Sequence, residues 1–342
     1  MRRGLLLNIA MCVKMENNET LPVVDLEEFI NGSKDKRHEI ASRVDRICCD
    51  IGFLIIKNHG IPKKIKQGAW QSAKKFFEQP LGEKMKAFPV MKDCPRGYVP
   101  VEGEALGKTL GIETPPDLKE TFSMGPLNAP AVTIKEDSFN FFYGNNIWPE
   151  MPKELKEGWI AYYRSIEVLG ANVMELLAVS LGLEENYFVK YHTHHISALR
   201  CQSYPELHKD YLPGQLRAGE HSDYGTVTIL NPDPVVGGLE VKSKSGRWIK
   251  APLIHDAFII NLGDMMARWT NDRWVSTLHR VVDPLDCGKP SAPARQSIAY
   301  FMNPNYDADI SVISACVNVG DEPKYKPVRA GNYLMDKFSS SL

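Results

Sequence analysis

The sequence predicts an α+β fold, in which helices from the N-terminal half brace a double-stranded β-helix, or jelly roll. Two observations support this prediction. Apolar residues in the first half of the chain recur at helical spacing. From Leu199 onward, short strand-like segments alternate with turn residues. Closely spaced strands that follow a run of helices favour two stacked sheets with a helical brace.

The helical half contains three amphipathic stretches. Behind Ser33, the first apolar stripe consists of Ile40, Val44, Ile47, Cys48 and Ile51. A second helix is expected behind Pro62, because proline is tolerated at a first helical position. The third and longest helix should begin near Pro152 and end near Leu181. Such stripes are typical of faces that pack against a sheet, so we expect them to form core.

Between these helices, residues 94–125 form a segment rich in glycine and proline. A long loop in a compact enzyme is usually a lid or a binding segment. Tyr98 and Phe122 are therefore candidate substrate neighbours. Ordinary loop packing is an equally good interpretation of both side chains, and the sequence leaves the two alternatives open.

The second half carries the strand and turn signals. Gly237-Gly238 and Ser245-Gly246 each precede a short strand-like segment. Residues 283–294 are rich in proline and small side chains, which indicates a loop between two strands. Residues 330–338 predict a short closing helix.

The most informative motif is His221-Ser-Asp223, together with His279 further along the chain. Residues two apart on a strand point to the same face, so His221 and Asp223 can offer a nitrogen and an oxygen to one point. The β-forming run at 226–230 supports a strand context. A second strand carrying His279 would complete the set. Two histidines and one carboxylate with open positions are typical of non-haem Fe(II) oxygenases.

A second group of candidate residues could hold an organic acid. Arg295-Gln-Ser297 opens a further segment with strand periodicity, and Tyr204 ends an earlier one. A guanidinium forms a bidentate pair with a carboxylate, and nearby hydroxyls add donors. Taken alone, Arg295 would be interpreted as a surface salt bridge. Beside a metal motif, the three side chains indicate a site for a dicarboxylic co-substrate that chelates the metal with its other end.

With other segments, these motifs make the chain resemble the iron- and 2-oxoglutarate-dependent dioxygenases of the isopenicillin N synthase-like branch. The resemblance extends from about Leu21 to Phe338. The further segments that carry it are Leu-Pro-Val-Val-Asp-Leu at 21–26, Gly-Phe-Leu-Ile-Ile-Lys-Asn-His-Gly-Ile at 52–61, Arg-Gly-Tyr at 96–98, Pro-Pro-Asp-Leu-Lys-Glu at 115–120, Asn-Leu-Gly-Asp at 261–264, Trp-Thr-Asn-Asp at 269–272 and Ala-Gly-Asn-Tyr-Leu at 330–334.

The resemblance implies an enzyme that uses Fe(II), 2-oxoglutarate and O2. Such an enzyme releases succinate and CO2 while it hydroxylates, desaturates or cyclises a small molecule, here in specialised or amino-acid-derived metabolism. The implied iron ligands are His221, Asp223 and His279, and the implied 2-oxoglutarate contacts are Arg295, Ser297 and Tyr204. One departure is Gln202, where relatives usually carry asparagine, and it puts a secondary contact in doubt.

Composition is that of an ordinary globular protein, with 43% hydrophobic and 24% charged residues. A net charge of −1 predicts neither a nucleic acid nor an anionic membrane as a partner. The seven cysteines include no Cys-x-x-Cys pair, which fits a reducing, cytoplasmic location. We expect a monomer whose partner is a small-molecule substrate.

We expect one compact unit made of three segments. Residues 1–20 are an N-terminal extension, residues 21–190 a mostly helical region that contributes strands to the core, and residues 191–342 the jelly-roll catalytic region with a short C-terminal helix. Residues 1–14 hold two arginines and an apolar run that is too short to span a membrane. A bland extension is the favoured interpretation, and an organellar targeting segment remains open.

Three other functions fit parts of the pattern. An iron oxidase of the same fold that does not consume 2-oxoglutarate is the nearest, and succinate formation would separate the two. A zinc hydrolase could use the same three ligands, but no candidate general base follows a zinc-enzyme pattern. A binding module without activity would have no need of a complete triad.

Overall fold

A computed structural model describes residues 20–89, 94–107, 111, 114–130, 137–208, 212, 215–282 and 291–339 of the chain. The expected N-terminal extension lies outside these residues except for its last position, Thr20. So does most of the loop expected at 283–294.

The described residues contain eight α-helices, six of them in the N-terminal half or at its end. They are α1 (Leu26–Asn31), α2 (Lys34–Asp50), α3 (Lys63–Phe77), α4 (Leu81–Met85), α5 (Asp137–Tyr143), α6 (Glu154–Ser180), α7 (Asp264–Trp269) and α8 (Ala330–Ser339). The three expected helices are α2, α3 and α6. Ser33 caps α2 by accepting from Lys36 N, and Pro62 directly precedes α3. No described helix has the length and apolar character to cross a membrane.

Sixteen described strands form two main sheets and two short pairs. They are β1 (Val23–Asp25), β2 (Phe53–Lys57), β3 (Gly97–Val99), β4 (Glu120–Met124), β5 (Ala198–Tyr204), β6 (Leu207–His208), β7 (Ala218–His221), β8 (Val227–Asn231), β9 (Leu239–Lys242), β10 (Trp248–Lys250), β11 (Phe258–Leu262), β12 (His279–Val281), β13 (Ser291–Ala292), β14 (Arg295–Met302), β15 (Asp309–Ile310) and β16 (Val328–Arg329). The eight-stranded sheet has the order β1-β2-β11-β8-β14-β5-β4-β3, and the four-stranded sheet the order β10-β9-β12-β7.

Two cores explain why strand β2 is apolar on both faces. Leu54 and Ile56 belong to the larger core, which fills the space between the eight-stranded sheet and the helices. Phe53 and Ile55 alternate with them and belong to a smaller core, where they meet Val241 of the four-stranded sheet. The two sheets therefore face each other, and the helices cover the outer face of the larger one. The predicted α+β jelly roll is confirmed.

The structure corrects the expectation that residues 94–125 form one long loop. Tyr98 and Phe122 lie on β3 and β4 and pair directly across the sheet. Both side chains are buried in the larger core, where the Phe122 ring packs 5.1 Å from that of Trp159 on α6. Their rings face the helices rather than the space between the sheets. Ordinary packing, the alternative interpretation, describes these two residues.

Candidate metal centre

Two histidines meet across the four-stranded sheet. His221 ends β7 and His279 begins β12, and the antiparallel register places them directly opposite each other, with ring centroids 4.3 Å apart. Asp223 lies just past the end of β7, so it reaches the same point from the following turn rather than from the strand itself. The ligand atoms of the three side chains lie within 4.8 Å of one another, close enough to share one metal ion.

Backbone carbonyls set the orientation of both imidazole rings. His221 Nδ1 lies 2.7 Å from the Gly219 carbonyl, and His279 Nδ1 lies 3.1 Å from that of Thr277. A protonated Nδ1 that donates to a carbonyl leaves Nε2 as the lone-pair nitrogen. The Nε2 atoms of His221 and His279 lie 3.9 and 3.7 Å from Asp223 Oδ1. All three donor atoms therefore face one another.

Asp223 is held by two neighbours on the larger sheet. Its Oδ2 accepts from Thr228 Oγ1 at 2.5 Å and from Asn261 Nδ2 at 2.6 Å, which turns Oδ1 toward the imidazoles. Thr228 and Asn261 pair across β8 and β11, so the sheet register brings both to one carboxylate. The sequence alone gives no role to Thr228 or Asn261, although Asn261 belongs to the Asn-Leu-Gly-Asp segment at 261–264 that resembles the family.

The turn that carries Asp223 packs closely against the chain that follows β11. The Asp223 carbonyl accepts from Asp264 N at 2.7 Å. A Cβ atom on Gly263 would lie 2.8 Å from that carbonyl and closer still to the carbonyl of Gly225. Only glycine fits at this position without a shift of the turn.

The environment of the triad favours a neutral imidazole at His221 and an ionised carboxylate at Asp223. Burial, reinforced by the nearby charge of His279, lowers the pKa of His221 to about 4. Burial alone would raise the pKa of Asp223, but the two histidines and the hydrogen bonds from Thr228 and Asn261 together lower it. A set of two nitrogen donors and one anionic oxygen suits a divalent first-row transition metal.

The organic-acid candidates lie on the inner face of the larger sheet. Arg295 of β14 pairs with Tyr204 of β5, and its guanidinium sits 4.8 Å from the centre of the Tyr204 ring. Arg295 is 4% exposed, and its Nε and Nη1 have no hydrogen-bond partner among the described residues. A buried cation with two unsatisfied donors is costly unless an acceptor arrives. A ligand carboxylate would supply that acceptor.

Ser297 extends the same inner face by one step along β14. It pairs with Gln202 of β5, and Ser297 Oγ lies 3.3 Å from the side-chain amide of Gln202. The residue that departs from the family pattern therefore touches one of the expected co-substrate contacts. The structure brings Arg295, Ser297 and Tyr204 together, as the sequence predicts.

Two family models match the chain. Residues 21–151 match the non-haem dioxygenase in morphine synthesis N-terminal family, and residues 189–304 match the 2OG-Fe(II) oxygenase superfamily. Validamycin A dioxygenase from Streptomyces hygroscopicus subsp. limoneus is 31% identical over 88% of this chain and 81% of its own length. The 2-oxoglutarate-dependent dioxygenase thnC from Trichoderma harzianum is 32% identical over 78% of this chain and 81% of its own.

Solved structures give the same result. A full-length Neurospora crassa protein, crystallised in complex with alpha-KG, superposes with a TM-score of 0.84 at 31% identity, covering 96% of this chain and 98% of that one. The same protein in complex with alpha-KG and thymine gives a TM-score of 0.83 at 29% identity, covering 96% and 99%. The likeness therefore spans both the helical half and the two sheets.

Proposed function

Since the chain belongs to the 2OG-Fe(II) oxygenase superfamily and is an Fe(II)- and 2-oxoglutarate-dependent dioxygenase, we propose that His221, Asp223 and His279 bind its iron. The observation that carries this assignment is the convergence of their ligand atoms within 4.8 Å. Within the described residues, this is the one group of histidine, cysteine, aspartate and glutamate side chains close enough to hold a metal. Thr228 and Asn261 position the carboxylate, as outer partners of metal ligands commonly do.

Arg295, Ser297 and Tyr204 hold the far carboxylate of 2-oxoglutarate in this proposal. The buried Arg295 donors without partners support it, since a bound carboxylate would satisfy them. The Tyr204 ring beneath the guanidinium fixes its plane through a cation–π contact. Ser297 adds a hydroxyl donor on the same strand face.

When bound, the iron and 2-oxoglutarate supply the oxidising chemistry, in which O2 and 2-oxoglutarate give succinate, CO2 and an oxidised substrate. The contribution of the chain is to bind, orient and exclude water. Phe53 packs edge-on against the His279 ring at 5.3 Å, and its apolar neighbours fill the rest of the smaller core. This packing keeps water from one side of the metal ligands.

The substrate in this proposal is a small molecule, which is hydroxylated, desaturated or cyclised. One of the solved relatives carries thymine, and one of the curated relatives is named for validamycin A. The near-zero net charge supports a chain that has neither nucleic acid nor membrane as a partner, and the seven cysteines without a Cys-x-x-Cys pair support a cytoplasmic location. These features are predictions from the sequence. We also expect the chain to act as a monomer.

The test is succinate formation by the full chain with Fe(II), 2-oxoglutarate and O2, measured together with oxygen uptake. The proposal predicts that both occur and that Arg295→Leu lowers both at limiting 2-oxoglutarate. The alternative of an oxidase that does not consume 2-oxoglutarate predicts oxygen uptake without succinate. A zinc hydrolase or an inactive binding module predicts neither.

A further inference from the structure

One aspartate, Asp264, lies between two segments of the chain that carry metal ligands. Asp264 is the first residue of α7, and its backbone N–H donates to the Asp223 carbonyl at 2.7 Å. Its side chain contacts the other segment, because Oδ1 accepts from Ser276 Oγ at 2.7 Å. Ser276 stands three residues before His279. A single residue therefore contacts both the turn that holds one ligand and the segment that leads to another.

The segment from Ser276 to His279 sets the orientation of the second imidazole. The Thr277 carbonyl lies 3.1 Å from His279 Nδ1. Thr277 Oγ1 in turn donates to the Ile51 carbonyl at 2.7 Å. Two neighbouring residues of this segment are thus tied to other parts of the fold. A shift of Ser276 would move the Thr277 carbonyl and, with it, the imidazole ring.

The turn that holds Asp223 has further backbone contacts with α7. Met265 N lies 3.2 Å from the Tyr224 carbonyl and 3.1 Å from that of Gly225. These bonds do not depend on the side chain at position 264. A substitution of Asp264 therefore removes its side-chain contacts and leaves the backbone contacts to the turn in place.

The C-terminal helix α8 reaches the same place with its last turn. Lys337 Nζ donates to Asp264 Oδ2 at 2.7 Å and lies 5.6 Å from the centre of the Tyr224 ring. The Phe338 ring packs edge-on against the same tyrosine, with centroids 5.6 Å apart. Tyr224 directly follows Asp223 in the chain. The helix thus contacts Asp264 and the neighbour of a metal ligand.

The ion pair between Lys337 and Asp264 is unlikely to be a large source of stability by its position. The two side chains are 35% and 19% exposed, and pairs that water can reach contribute little to the free energy of unfolding. Metal affinity is more sensitive to such contacts, since residues behind the ligands fix the ligand positions. The pair is therefore expected to act mainly on the metal centre.

We propose that Asp264 is a positioning residue for the iron, which fixes the approach to His279 through Ser276. Lys337 holds the Asp264 carboxylate in place, so that α8 supports the metal centre. Both Asp264 and Lys337 act through other residues and are not ligands. The inference rests on the proposed function, because it assumes that Asp223 and His279 bind the metal.

The experiment is titration of the metal-free full chain with Co(II), whose visible absorption reports its coordination geometry, followed by anaerobic titration with Fe(II). Asp264→Ala should weaken metal binding about tenfold and change the Co(II) spectrum, as loss of a partner behind the ligands does. Ser276→Ala should reproduce most of this effect. Asp264→Asn should lose less than Asp264→Ala, because its amide oxygen still accepts from Ser276.

Substitutions of Lys337 test the contribution of α8. Lys337→Met should weaken Co(II) binding about threefold, because a partly exposed ion pair is weaker than a buried hydrogen bond. Lys337→Arg keeps the charge and should restore most of the affinity. The double variant of Asp264→Ala with Lys337→Met should bind Co(II) no more weakly than Asp264→Ala alone, since Lys337 acts through Asp264.

The ion pair of Lys57 and Asp25 is the matched control. Its lysine and aspartate are 50% and 13% exposed, and it joins the ends of β2 and β1 at the edge of the larger sheet. Lys57→Met and Asp25→Ala should both keep the Co(II) affinity and spectrum of the wild type.

The outcomes separate a positioning role from a merely structural one. Wild-type Co(II) affinity and spectrum in folded Asp264→Ala, with easier thermal unfolding of the metal-free protein, would overturn the inference. An equal loss of affinity in Asp25→Ala would also overturn it, and additive losses in the double variant would show that Lys337 does not act through Asp264. Wild-type protein that binds neither Co(II) nor Fe(II), or His279→Ala that binds both normally, would instead refute the proposed function and this inference with it.

Discussion

The two faces of β14 differ in what they contact, although they belong to one strand. Ile298, Tyr300 and Met302 point toward the helices and are buried in the larger core. Arg295 and Ser297 alternate with them and point between the sheets, where they are buried but polar. Buried apolar groups stabilise the fold, whereas buried polar groups without partners cost stability and are typical of ligand sites. The contrast teaches that stability and ligand binding are carried by opposite faces of the same sheet.

The largest effect should come from the metal ligands. His279→Ala leaves one imidazole and one carboxylate, and we expect no measurable iron in the reconstituted protein and no succinate formation. Metal analysis after anaerobic reconstitution with Fe(II) checks the first part. Circular dichroism of the same sample should show a folded chain. Iron content equal to that of the wild type would show that His279 is not a ligand.

Substitutions on the face of the larger sheet that packs against the helices should affect stability alone. Phe122→Ala removes a fully buried ring from the larger core, and we expect unfolding to become easier by about 3–5 kcal/mol. Chemical denaturation of the metal-free protein measures this change. Iron and 2-oxoglutarate affinities of the folded variant should match the wild type. Selective loss of substrate binding, with wild-type stability, would instead favour the substrate role that the sequence left open for Phe122.

Arg295 should affect the co-substrate more than the metal. Arg295→Leu removes the charged donors for the carboxylate, and we expect 2-oxoglutarate to bind about a hundredfold more weakly. Arg295→Lys should lose less, because it keeps the charge but not the bidentate geometry. Titration of Fe(II)-loaded protein gives both affinities. Equal affinity of the Leu variant and the wild type would remove Arg295 from the site.

The smallest of these effects should come from the residues that orient Asp223. Asn261→Ala removes one of the two hydrogen bonds to Oδ2, and we expect iron to bind about 10–100-fold more weakly. Asn58→Ala is the matched control, because Asn58 donates at 2.7 Å to the carboxylate of Asp25, on the edge strand of the larger sheet. If both variants bind iron alike, Asn261 has no positioning role.

The sequence predicts the parts of the molecule that depend on local pattern. Helical stripes gave α2, α3 and α6, and alternation gave β5, β8 and β14. The convergence of His221, Asp223 and His279 could be expected because each stands in or beside a short strand signal. The sequence predicts that Asp223 lies on the same strand as His221. In the structure Asp223 lies in the turn after β7, and this turn brings its carboxylate to the same point as the two imidazoles.

What the sequence could not predict depends on pairing between distant strands. Strands β3 and β4 lie in a stretch whose glycines and prolines indicate a loop, and β4 is a strand because β3 and β5 satisfy its hydrogen bonds. Thr228 and Asn261 meet Asp223 only through the register of β8 with β11. Asp264 and Lys337 are 73 residues apart in the chain, and nothing local to either predicts the other.

The assignment of the metal ligands and of Arg295 is tested most directly by a crystal structure of the full chain grown without oxygen in the presence of 2-oxoglutarate and Mn(II), which stands in for Fe(II). We expect one metal bonded to His221 Nε2, His279 Nε2 and Asp223 Oδ1, with the far carboxylate of 2-oxoglutarate on the Arg295 guanidinium. A metal bound elsewhere, or a 2-oxoglutarate that does not touch Arg295, would contradict it.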